Sequence, residues 1–311
     1  LNFKKTTNPK KVAVVGAGPA GVSCAIEAAK IGHEVHLFEK GSELGGQFNL
    51  AKVIPGKEEF HETIRYFNEM LKKYGVQQHL NTMVNTKLLD EFKFDEIVVS
   101  TGIRPRNIEF NGSDSPKVLS YTEAIKTPND VGQNVAIIGA GGIGFDVSEM
   151  LLHSSKESSP EDLDSFLGEW SIDRNNEQRG GLLSDIDKGS SSCRKIYLMQ
   201  RKDTKLGGNL GKTTGWIHRL SLKKAGVEFL KSVEYKKFDE EGLHITHEGK
   251  PRVLAVDNVI VCAGQISNSD LYAKLEARGR ENIHLIGGAK EAREIDAKRA
   301  IRDGVKVALS L

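Results

Sequence analysis

Cysteine is scarce in this chain of 311 residues, and its three copies are widely separated. Cys24, Cys193 and Cys262 form neither a C-x-x-C pair nor a cluster with the spacing of metal ligands. Flavin disulfide reductases need two neighbouring thiols, so this spacing excludes their dithiol chemistry and indicates reduced, structural cysteines. The sequence also predicts no metal site.

Long apolar runs and a dominant charge are absent as well. No run approaches the ~20 apolar residues that span a bilayer, and no signal peptide is visible. The net charge is +2, and the basic residues are scattered as singles and pairs, so nothing indicates a surface for nucleic acid. We therefore expect a soluble, cytoplasmic protein with neither a membrane nor a nucleic-acid partner, long enough for one large or two ordinary domains.

The first eleven residues are polar and basic and contain Asn8-Pro9, which is typical of a linker. The chain begins with Leu1 instead of methionine. We therefore expect residues 1–11 to be a linker and the chain to have been cut from something longer.

Glycine, by contrast, is plentiful, and its first cluster lies in residues 11–21, KVAVVGAGPAG. A buried strand is predicted to turn here directly into a helix, with Gly16 permitting the turn, Gly18 admitting a pyrophosphate and Gly21 allowing close packing. The next predicted strand ends in Glu39, whose carboxylate can accept both hydroxyls of an adenosine ribose. Strand, helix, strand and acid together predict a dinucleotide site.

Further elements follow this first unit. Residues 41–47, GSELGGQ, form a glycine-rich turn that would enter the same cleft. Apolar residues recur with helical spacing over 60–71, and Gly75 stands where that helix would end, so we interpret the aromatic stripe as packed core. A strand over 94–99 leads to Gly102, which would let the backbone run beneath a flat ligand.

The pattern then restarts in residues 134–144, NVAIIGAGGIG, which predicts a second dinucleotide site. Its next strand, 196–199, comes only after an insertion over 153–194 that is rich in Ser, Asp, Glu and Gly. For that insertion we expect a covering flap with one short helix near 163–170. Whether the flap is functional or merely tolerated stays open.

Gln200-Arg201-Lys202 stands at the end of the delayed strand, where an NAD site would place an acid. A carboxylate would repel a 2′-phosphate, whereas a guanidinium can bind it in a fork, so the second site is predicted to prefer NADP(H). The alternative is an exposed charge at a strand end. We interpret Trp216 as a packed core or interface residue and His218 as structural. Residues 257–264 repeat the strand-to-glycine design of 97–102.

These motifs carry a resemblance to a known family. Over its whole length the chain resembles the C-terminal half of bacterial-type NADPH-dependent 2,4-dienoyl-CoA reductase, in the old-yellow-enzyme-like group that includes trimethylamine dehydrogenase. The matching segments are residues 45–49, 54–60, 139–146, 211–219 and 255–265. The resemblance implies that FMN, a 4Fe-4S cluster and the dienoyl-CoA site belong to an N-terminal barrel, while this half holds FAD and binds NADPH. Neither the barrel nor the cluster's cysteines are in this chain.

Carried over position by position, the resemblance implies two sets of cofactor-binding residues. FAD would be lined by Gly16, Gly18, Pro19, Ala20, Gly21, Glu39, Lys40, Gly45, Gly46, Gln47, Thr101, Gly102, Gly287 and Gly288, and NADPH by Gly139, Gly141, Gly142, Ile143, Gly144, Arg201 and Lys202. Flavin reductases of the broader two-fingerprint type usually place Asp where this chain has Gly288. The dienoyl-CoA reductases resemble this chain in having Gly-Gly there.

The predicted fold class is α/β, with two doubly wound Rossmann-like domains, the second inserted in the first. Residues 12–130 and 255–311 would form the FAD-binding domain, and residues 131–254 the NADP-binding domain. A closing helix is predicted from Ala292 to Leu309, with Ile295, Ile301, Val305 and Leu309 broadly on one side. Its N-terminus would point a positive dipole end at the flavin.

The implied function is that of an electron-input module of fatty acid β-oxidation, in which hydride passes from NADPH to FAD and no side chain acts as an acid or base. Its partner would be the FMN and iron–sulfur barrel of a parent chain, so this half alone should act only as a diaphorase. Two alternatives stay open. One is a flavoprotein that feeds another partner, as in glutamate synthase. The other is a non-catalytic module, because trimethylamine dehydrogenase keeps this fold with ADP where FAD would sit.

Overall fold

The structure is a computed structural model that describes residues 5–153, 162–183, 194–292 and 296–311. Its α-helices are α1 (Pro19–Ile31), α2 (Phe48–Ala51), α3 (Phe60–Lys73), α4 (Thr86–Phe92), α5 (Tyr121–Lys126), α6 (Gly142–Leu152), α7 (Leu163–Glu169), α8 (Gly215–Lys224), α9 (Asp270–Glu276) and α10 (Ala297–Ala308). Its strands are β1 (Lys11–Val15), β2 (Glu34–Phe38), β3 (Gln77–His79), β4 (Glu96–Val99), β5 (Ile103–Pro105), β6 (Val118–Ser120), β7 (Asn134–Ile138), β8 (Lys195–Met199), β9 (Glu228–Leu230), β10 (Glu234–Asp239), β11 (Gly242–His247), β12 (Lys250–Leu254), β13 (Asn258–Val261), β14 (Gln265–Ser267) and β15 (Ile283–Leu285).

The chain divides into two compact units, the second inserted in the first. Unit 1 comprises Leu1–Lys52, Lys57–Arg104 and Gln265–Leu311, and unit 2 comprises Val53–Gly56 and Pro105–Gly264. The predicted boundaries at 130/131 and 254/255 therefore need correction, because residues 105–130 and 255–264 belong to unit 2. The physical reason is strand pairing: β13 lies between β6 and β7 in one parallel sheet.

Each unit is built on a five-stranded parallel sheet, and four of the five strands follow the same order in both sheets. In unit 1 the order is β3-β2-β1-β4-β15, and in unit 2 it is β9-β8-β7-β13-β6. Counted along the chain, unit 1 reads 3-2-1-4-5, whereas unit 2 reads 4-3-2-5-1 because its edge strand β6 precedes the other four. Both are doubly wound orders, in which ligands bind at the carboxyl ends of the strands where the order reverses. The predicted fold class, α/β with two Rossmann-like domains, is confirmed.

Unit 1 buries β1 against α1, and α1 packs closely on α10. Pro19 is pre-set for the first turn of α1, and Gly32, at φ 116°, ends it in the left-handed conformation. A side chain on Gly304 of α10 would place its Cβ 2.2 Å from the Ala20 carbonyl oxygen, so glycine permits the close helix crossing. The stripe on α3 is core as predicted, since Phe67 and Leu71 are buried in the same cluster.

Both ends of the chain need corrections. Lys11 is the first residue of β1 instead of the last residue of a linker. Helix α10 begins at Ala297, not at Ala292, because Asp296 caps it by accepting a hydrogen bond from the Lys298 backbone N–H. Ile295 lies outside the described residues. Leu309 is exposed and lies just beyond Ala308, the last residue of α10.

Unit 2 adds an antiparallel sheet with the order β10-β11-β12, in which β11 is central. The short helix predicted in the insertion is confirmed as α7. The parts of the insertion at 154–161 and 184–193, including Cys193, lie outside the described residues. In the part of the chain that the structure describes, no helix has the length and apolarity to cross a membrane.

Candidate dinucleotide sites

The turn between β1 and α1 needs glycine at two positions for its own packing. Gly16 has φ 106°, and a Cβ there would lie 2.4 Å from the Ser100 carbonyl oxygen. A Cβ on Gly21 would lie 1.9 Å from the Gly16 carbonyl oxygen. The Ser100 hydroxyl lies 2.9 Å from the carbonyl oxygen of Val15 and 2.8 Å from that of Gly16, and so holds the end of β4 against the turn. No side chain fits at Gly16 or Gly21.

The turn between β7 and α6 repeats these constraints almost atom for atom. Gly139 has φ 114°, and its Cβ would lie 2.5 Å from the Cys262 carbonyl oxygen. A Cβ on Gly144 would lie 1.9 Å from the Gly139 carbonyl oxygen, the same distance as in the first turn. The prediction that residues 257–264 echo 97–102 is confirmed by this match, because each segment closes on the first glycine of its own turn.

The middle glycine of each turn is different, because the protein itself does not require it. Among the described residues, the nearest atom to a Cβ on Gly18 would be the Gly46 Cα at 4.0 Å, and a Cβ on Gly141 would have no neighbour within 4 Å. Their φ values, −76° and −87°, suit any amino acid. Open space in front of a helix N-terminus is where a pyrophosphate approaches the backbone, so these two positions fit a dinucleotide.

Glu39 is held at the end of β2 by the turns around it. One oxygen, Oε2, accepts from the Ala17 backbone N–H and the other, Oε1, from the Gly41 N–H, both at 2.9 Å. A carboxylate offers about four lone-pair sites, so roughly two stay available for the hydroxyls of a ribose. Glu39 borders a cavity of about 390 Å³, together with Gly16, Lys40 and Thr101 from the predicted set.

The remaining residues predicted to line FAD converge on the same turn. The Gly45 N–H donates to the Ala17 carbonyl at 2.8 Å, and a Cβ on Gly46 would lie 2.9 Å from the Gly18 Cα. Gln47 precedes α2 directly. The structure therefore brings the turn at 41–47 onto the first glycine turn, as predicted.

The segment after β15 meets this turn from the other side. A Cβ on Gly287, at φ 59°, would lie 2.7 Å from the Ala20 Cβ, while a Cβ on Gly288 would lie 2.9 Å from the Ile103 Cγ2 and 3.4 Å from the Gly102 Cα. Ala20 of α1, Gly102 and Gly287-Gly288 are thus in close contact, and the aspartate of the broader flavin reductases at position 288 would require Ile103 to move.

Two parts of this cavity were not predicted from the sequence. Residues 82–86, after β3, line it, and so does Asn268, whose carbonyl oxygen lies 2.5 Å from the Thr101 hydroxyl and whose Nδ2 lies 3.3 Å from the Thr101 carbonyl oxygen. Strand β3 consists of three residues, Gln-Gln-His, without an apolar pattern. The strand order places β3 beside β2, so recognising it would have identified the following loop as part of the site.

In unit 2 the residues predicted for NADPH lie at one edge of the sheet. Arg201 and Lys202 are exposed just beyond β8, and the turn with Gly142 and Ile143 is at the end of the neighbouring strand β7. The loop after Arg201 returns to that turn, because the Gly207 N–H donates to the Ala140 carbonyl at 3.0 Å. The structure therefore brings the two predicted parts of this site together.

The structure contradicts part of the interpretation of Trp216 on α8 and agrees with that of His218. Trp216 is 55% exposed, so its interpretation as packed core is wrong, while an interface role stays a prediction. The Nδ1 of His218 lies 3.3 Å from Oε2 of Glu149 on α6. Burial raises the pKa of Glu149, and the neighbouring His218 partly opposes that shift. The contact joins two helices, which agrees with a structural role for His218.

The two described cysteines are buried thiols. Burial raises the pKa of Cys24 to about 12 and raises that of Cys262 as well. Both are therefore protonated at neutral pH and unsuited to nucleophilic chemistry, which agrees with the structural role predicted for them.

One group of possible metal ligands occurs in the described residues, on the hairpin between β10 and β11. Ligand atoms of Asp239, Glu241 and His244 lie within 4.8 Å of one another. The Lys237 Nζ is 2.6 Å from the Asp239 carboxylate, and together with His244 it lowers the pKa of that exposed group to about 2. The ammonium group of Lys237 therefore already neutralises the Asp239 carboxylate, whose negative charge a metal ion would need.

Comparisons with known proteins agree with this architecture. A family model described as pyridine nucleotide-disulphide oxidoreductase matches residues 10–285. The metal reductase of Desulforamulus reducens is 26% identical over 95% of this chain and 43% of its own length, and the cinnamate reductase of Clostridium sporogenes is 27% identical over 94% of this chain and 38% of its own. A solved complex of 2-naphthoyl-CoA reductase with 2-naphthoyl-CoA has the same fold, with a TM-score of 0.81 at 23% identity over 99% of this chain and 41% of that one.

The chain thus spans less than half the length of each of these proteins. The family match, in contrast, includes both parallel sheets and both glycine turns. The chain belongs to the pyridine nucleotide-disulphide oxidoreductase family.

Proposed function

We propose that this chain is an oxidoreductase module that transfers hydride from NADPH to FAD. The observation that carries the proposal is the space in front of Gly18 and Gly141. The first and third glycines of each turn are explained by contacts within the protein, whereas the middle ones are explained only by a ligand that must approach the backbone. Two such turns in one chain call for two dinucleotides.

FAD is assigned to unit 1 and NADPH to unit 2. In unit 1 the Glu39 carboxylate would accept the ribose hydroxyls, and the N–H groups at the start of α1 would bind the pyrophosphate. In unit 2 the exposed Arg201 and Lys202 make no ion pair with any described residue, so both are available to a 2′-phosphate. When bound, FAD would supply the ring that accepts hydride, and this chain's residues would orient the dinucleotides and exclude water.

We further propose that the module is the electron-input half of a 2,4-dienoyl-CoA reductase. Support comes from the matching segments in the sequence and from relatives more than twice as long, one of which is named a cinnamate reductase. The partner would then be an N-terminal barrel with FMN and an iron–sulfur cluster in the parent chain. A second candidate, electron input for a different acceptor, is favoured by the relative named a metal reductase.

The first experiment identifies the ligand of unit 1. The purified chain is denatured, and the released chromophore is separated by chromatography. We expect FAD and a yellow protein. Recovery of ADP, which absorbs only in the ultraviolet, would instead support the non-catalytic module, and failure to bind FAD on reconstitution would contradict the assignment.

The second experiment tests the middle glycines directly. Gly18→Ala should lower FAD affinity, and Gly141→Ala should lower NADP⁺ affinity, because the added methyl group occupies the space of the pyrophosphate. Each variant should leave the other site unchanged, and neither should change the thermal unfolding temperature appreciably. Gly168→Ala, in α7, is the matched control, because a Cβ there has no described neighbour within 4 Å and lies far along the chain from both turns. Unchanged binding in both site variants would contradict the proposal.

The third experiment separates hydride input from reduction of a substrate. The chain is mixed with FAD, NADPH and either ferricyanide or 2,4-hexadienoyl-CoA in anaerobic buffer. We expect reduction of the dye and no loss of the dienoyl-CoA absorbance. Turnover of the dienoyl-CoA by this chain alone would place the substrate site in these two units and would contradict the proposed division between two halves.

A further inference from the structure

The matching strand orders identify which residue of unit 2 stands where Glu39 stands in unit 1. The ends of β1 and β2 are paired, and Glu39 comes next; the ends of β7 and β8 are paired in the same register, and Gln200 comes next. The Glu39 N–H donates to the carbonyl of His79, the last residue of β3, at 2.9 Å. The Gln200 N–H donates to the carbonyl of Leu230, the last residue of β9, at 3.0 Å. Gln200, not Arg201, is therefore the counterpart of Glu39.

The two side chains differ in their hydrogen bonding: Glu39 accepts, and Gln200 donates. The Glu39 carboxylate only accepts hydrogen bonds from backbone N–H groups around it. The Gln200 Nε2 donates, to the Lys202 carbonyl at 3.1 Å, to the Thr204 carbonyl at 2.6 Å and towards the Thr204 hydroxyl at 3.2 Å. A carboxylate in place of this amide could make none of these contacts with the two carbonyl oxygens. The amide closes a turn over residues 201–204.

The same turn is also held by two residues that follow β9, Lys231 and Ser232. The Ser232 N–H donates to the Lys202 carbonyl at 3.2 Å, and its hydroxyl donates to the Asp203 carboxylate at 3.0 Å. The Lys231 Nζ lies 2.9 Å from the same carboxylate. Asp203 is therefore neutralised by residues that follow β9, and its carboxylate is not available to bind a ribose. The carbonyls of Lys202 and Thr204 and the Asp203 carboxylate are therefore engaged, while the side chains of Arg201 and Lys202 are exposed.

We propose that Gln200 is a positioning residue for coenzyme choice: its carboxamide fixes the 201–204 turn so that Arg201 is presented to the 2′-phosphate of an adenosine nucleotide. The inference rests on the proposed NADPH site in unit 2. The neutral amide of Gln200 is then as necessary for NADPH binding as the guanidinium of Arg201. The turn must be ordered before binding for the guanidinium fork to contribute fully.

The test uses nucleotides that need neither flavin nor turnover. The full chain is titrated calorimetrically with adenosine 2′,5′-bisphosphate and with AMP, which differ only in the 2′-phosphate. Gln200→Ala should weaken binding of the bisphosphate by roughly tenfold, the effect of losing one or two hydrogen bonds, and leave AMP binding unchanged. Gln200→Glu should weaken the bisphosphate by on the order of a hundredfold, because it adds charge repulsion to the loss of donors.

Two reference variants make the outcomes distinguishable. Gln133→Ala changes an exposed glutamine just before β7, at the amino ends of the strands of the same sheet, and should alter the binding of neither nucleotide. Arg201→Ala should abolish the preference for the bisphosphate. If Arg201→Ala keeps that preference, the proposed reader of the 2′-phosphate is wrong and Gln200 has nothing to position.

If Arg201→Ala loses the preference while Gln200→Ala keeps it, the NADPH site stands and only the role of Gln200 is overturned. Equal weakening of both nucleotides in Gln200→Ala would indicate a merely structural residue and would also overturn the inference. Gln200→Met, which keeps the length of the side chain but lacks the donor, gives the same test if the alanine variant folds poorly.

Discussion

Asp95 in unit 1 and Asp257 in unit 2 each accept a hydrogen bond at 2.7 Å from the backbone N–H that begins the central strand of their sheet. One residue later the units differ. Unit 1 has Glu96, which binds the Lys10 Nζ at 2.7 Å and the His284 Nε2 at 2.9 Å. Unit 2 has Asn258 in the same register, and its neutral side chain hydrogen-bonds only backbone groups among the described contacts.

The ends of the second strands repeat this difference, with Glu39 in unit 1 and Gln200 in unit 2. At both positions an acid of unit 1 is an amide in unit 2. A carboxylate can bind ribose hydroxyls and cations, and it titrates; an amide can donate to carbonyl oxygens and does not titrate. Glycines and backbone hydrogen bonds therefore specify the shared fold, whereas these acid-to-amide differences give each unit its own ligand and its own response to pH.

The largest effect is expected where the units are most alike. Gly21→Ala and Gly144→Ala each place a Cβ 1.9 Å from a backbone oxygen, so either the strand or the helix must move. We expect each to lower the free energy of unfolding by about 3 kcal/mol or more, measured by urea denaturation. Gly168→Ala is the control for the alanine substitution itself. A small effect in one unit and a large one in the other would show that the two turns are not equivalent.

The next effect should separate the units by coenzyme. Arg201→Asp removes the phosphate fork, and we expect NADPH to lose roughly 1.5 to 3 kcal/mol of binding while NADH loses far less. The ratio of kcat/KM values for the two coenzymes measures it. Lys40→Asp changes the exposed residue at the corresponding position of unit 1 and should leave that ratio unaltered. A ratio in Arg201→Asp equal to that of the unsubstituted chain would mean that Arg201 does not read the 2′-phosphate.

Both glycine turns, both flanking strands and Glu39 could be predicted from the sequence, because a buried strand and a G-x-G-x-x-G turn impose local requirements on neighbouring residues. Strand β3 could not, since it is short and polar and exists by pairing with β2. Residues 105–130 were assigned to the wrong domain for the same reason. Their strand β6 is identified only by its pairing with β13, about 140 positions further along the chain.

The candidate sites show the same limit. The importance of Arg201 could be inferred from its charge and its place after a strand. Gln200 could not, because its role depends on sheet register and on a turn that closes through Thr204 and Ser232. Leu309 was misplaced because α10 ends at Ala308, so the helical spacing that placed Leu309 beside Ile301 does not continue to it.

A smaller effect is expected from converting the ribose acid of unit 1 into the amide of unit 2. Glu39→Gln turns one acceptor oxygen into an NH₂ group that faces either the Ala17 or the Gly41 N–H. We expect FAD to bind about tenfold more weakly, measured by quenching of flavin fluorescence, because one acceptor for the ribose is lost. Binding of NADP⁺ should not change. An unaltered FAD affinity would show that Glu39 only stabilises the turns around it through the N–H groups of Ala17 and Gly41.

The smallest effect tests whether unit 1 is the part of the fold that responds to acid. Burial alone would raise the pKa of Glu96, but the hydrogen bonds and charges of Lys10 and His284 outweigh it and hold the pKa below its ordinary range. A carboxyl whose pKa is lowered in the folded state stabilises the fold above its unfolded pKa of about 4.3, and this contribution is lost as the pH falls through the folded value. Glu96→Gln should therefore destabilise the chain by on the order of 1 kcal/mol at pH 6 and by progressively less below about pH 4. Asn258→Ala, at the same register position in unit 2, should destabilise by an amount that does not change over this range, because an amide has no proton to gain. Urea unfolding of both variants and the unsubstituted chain between pH 3 and pH 6 measures the two differences, and a pH-independent cost for Glu96→Gln would show that its ion pairs add nothing to stability.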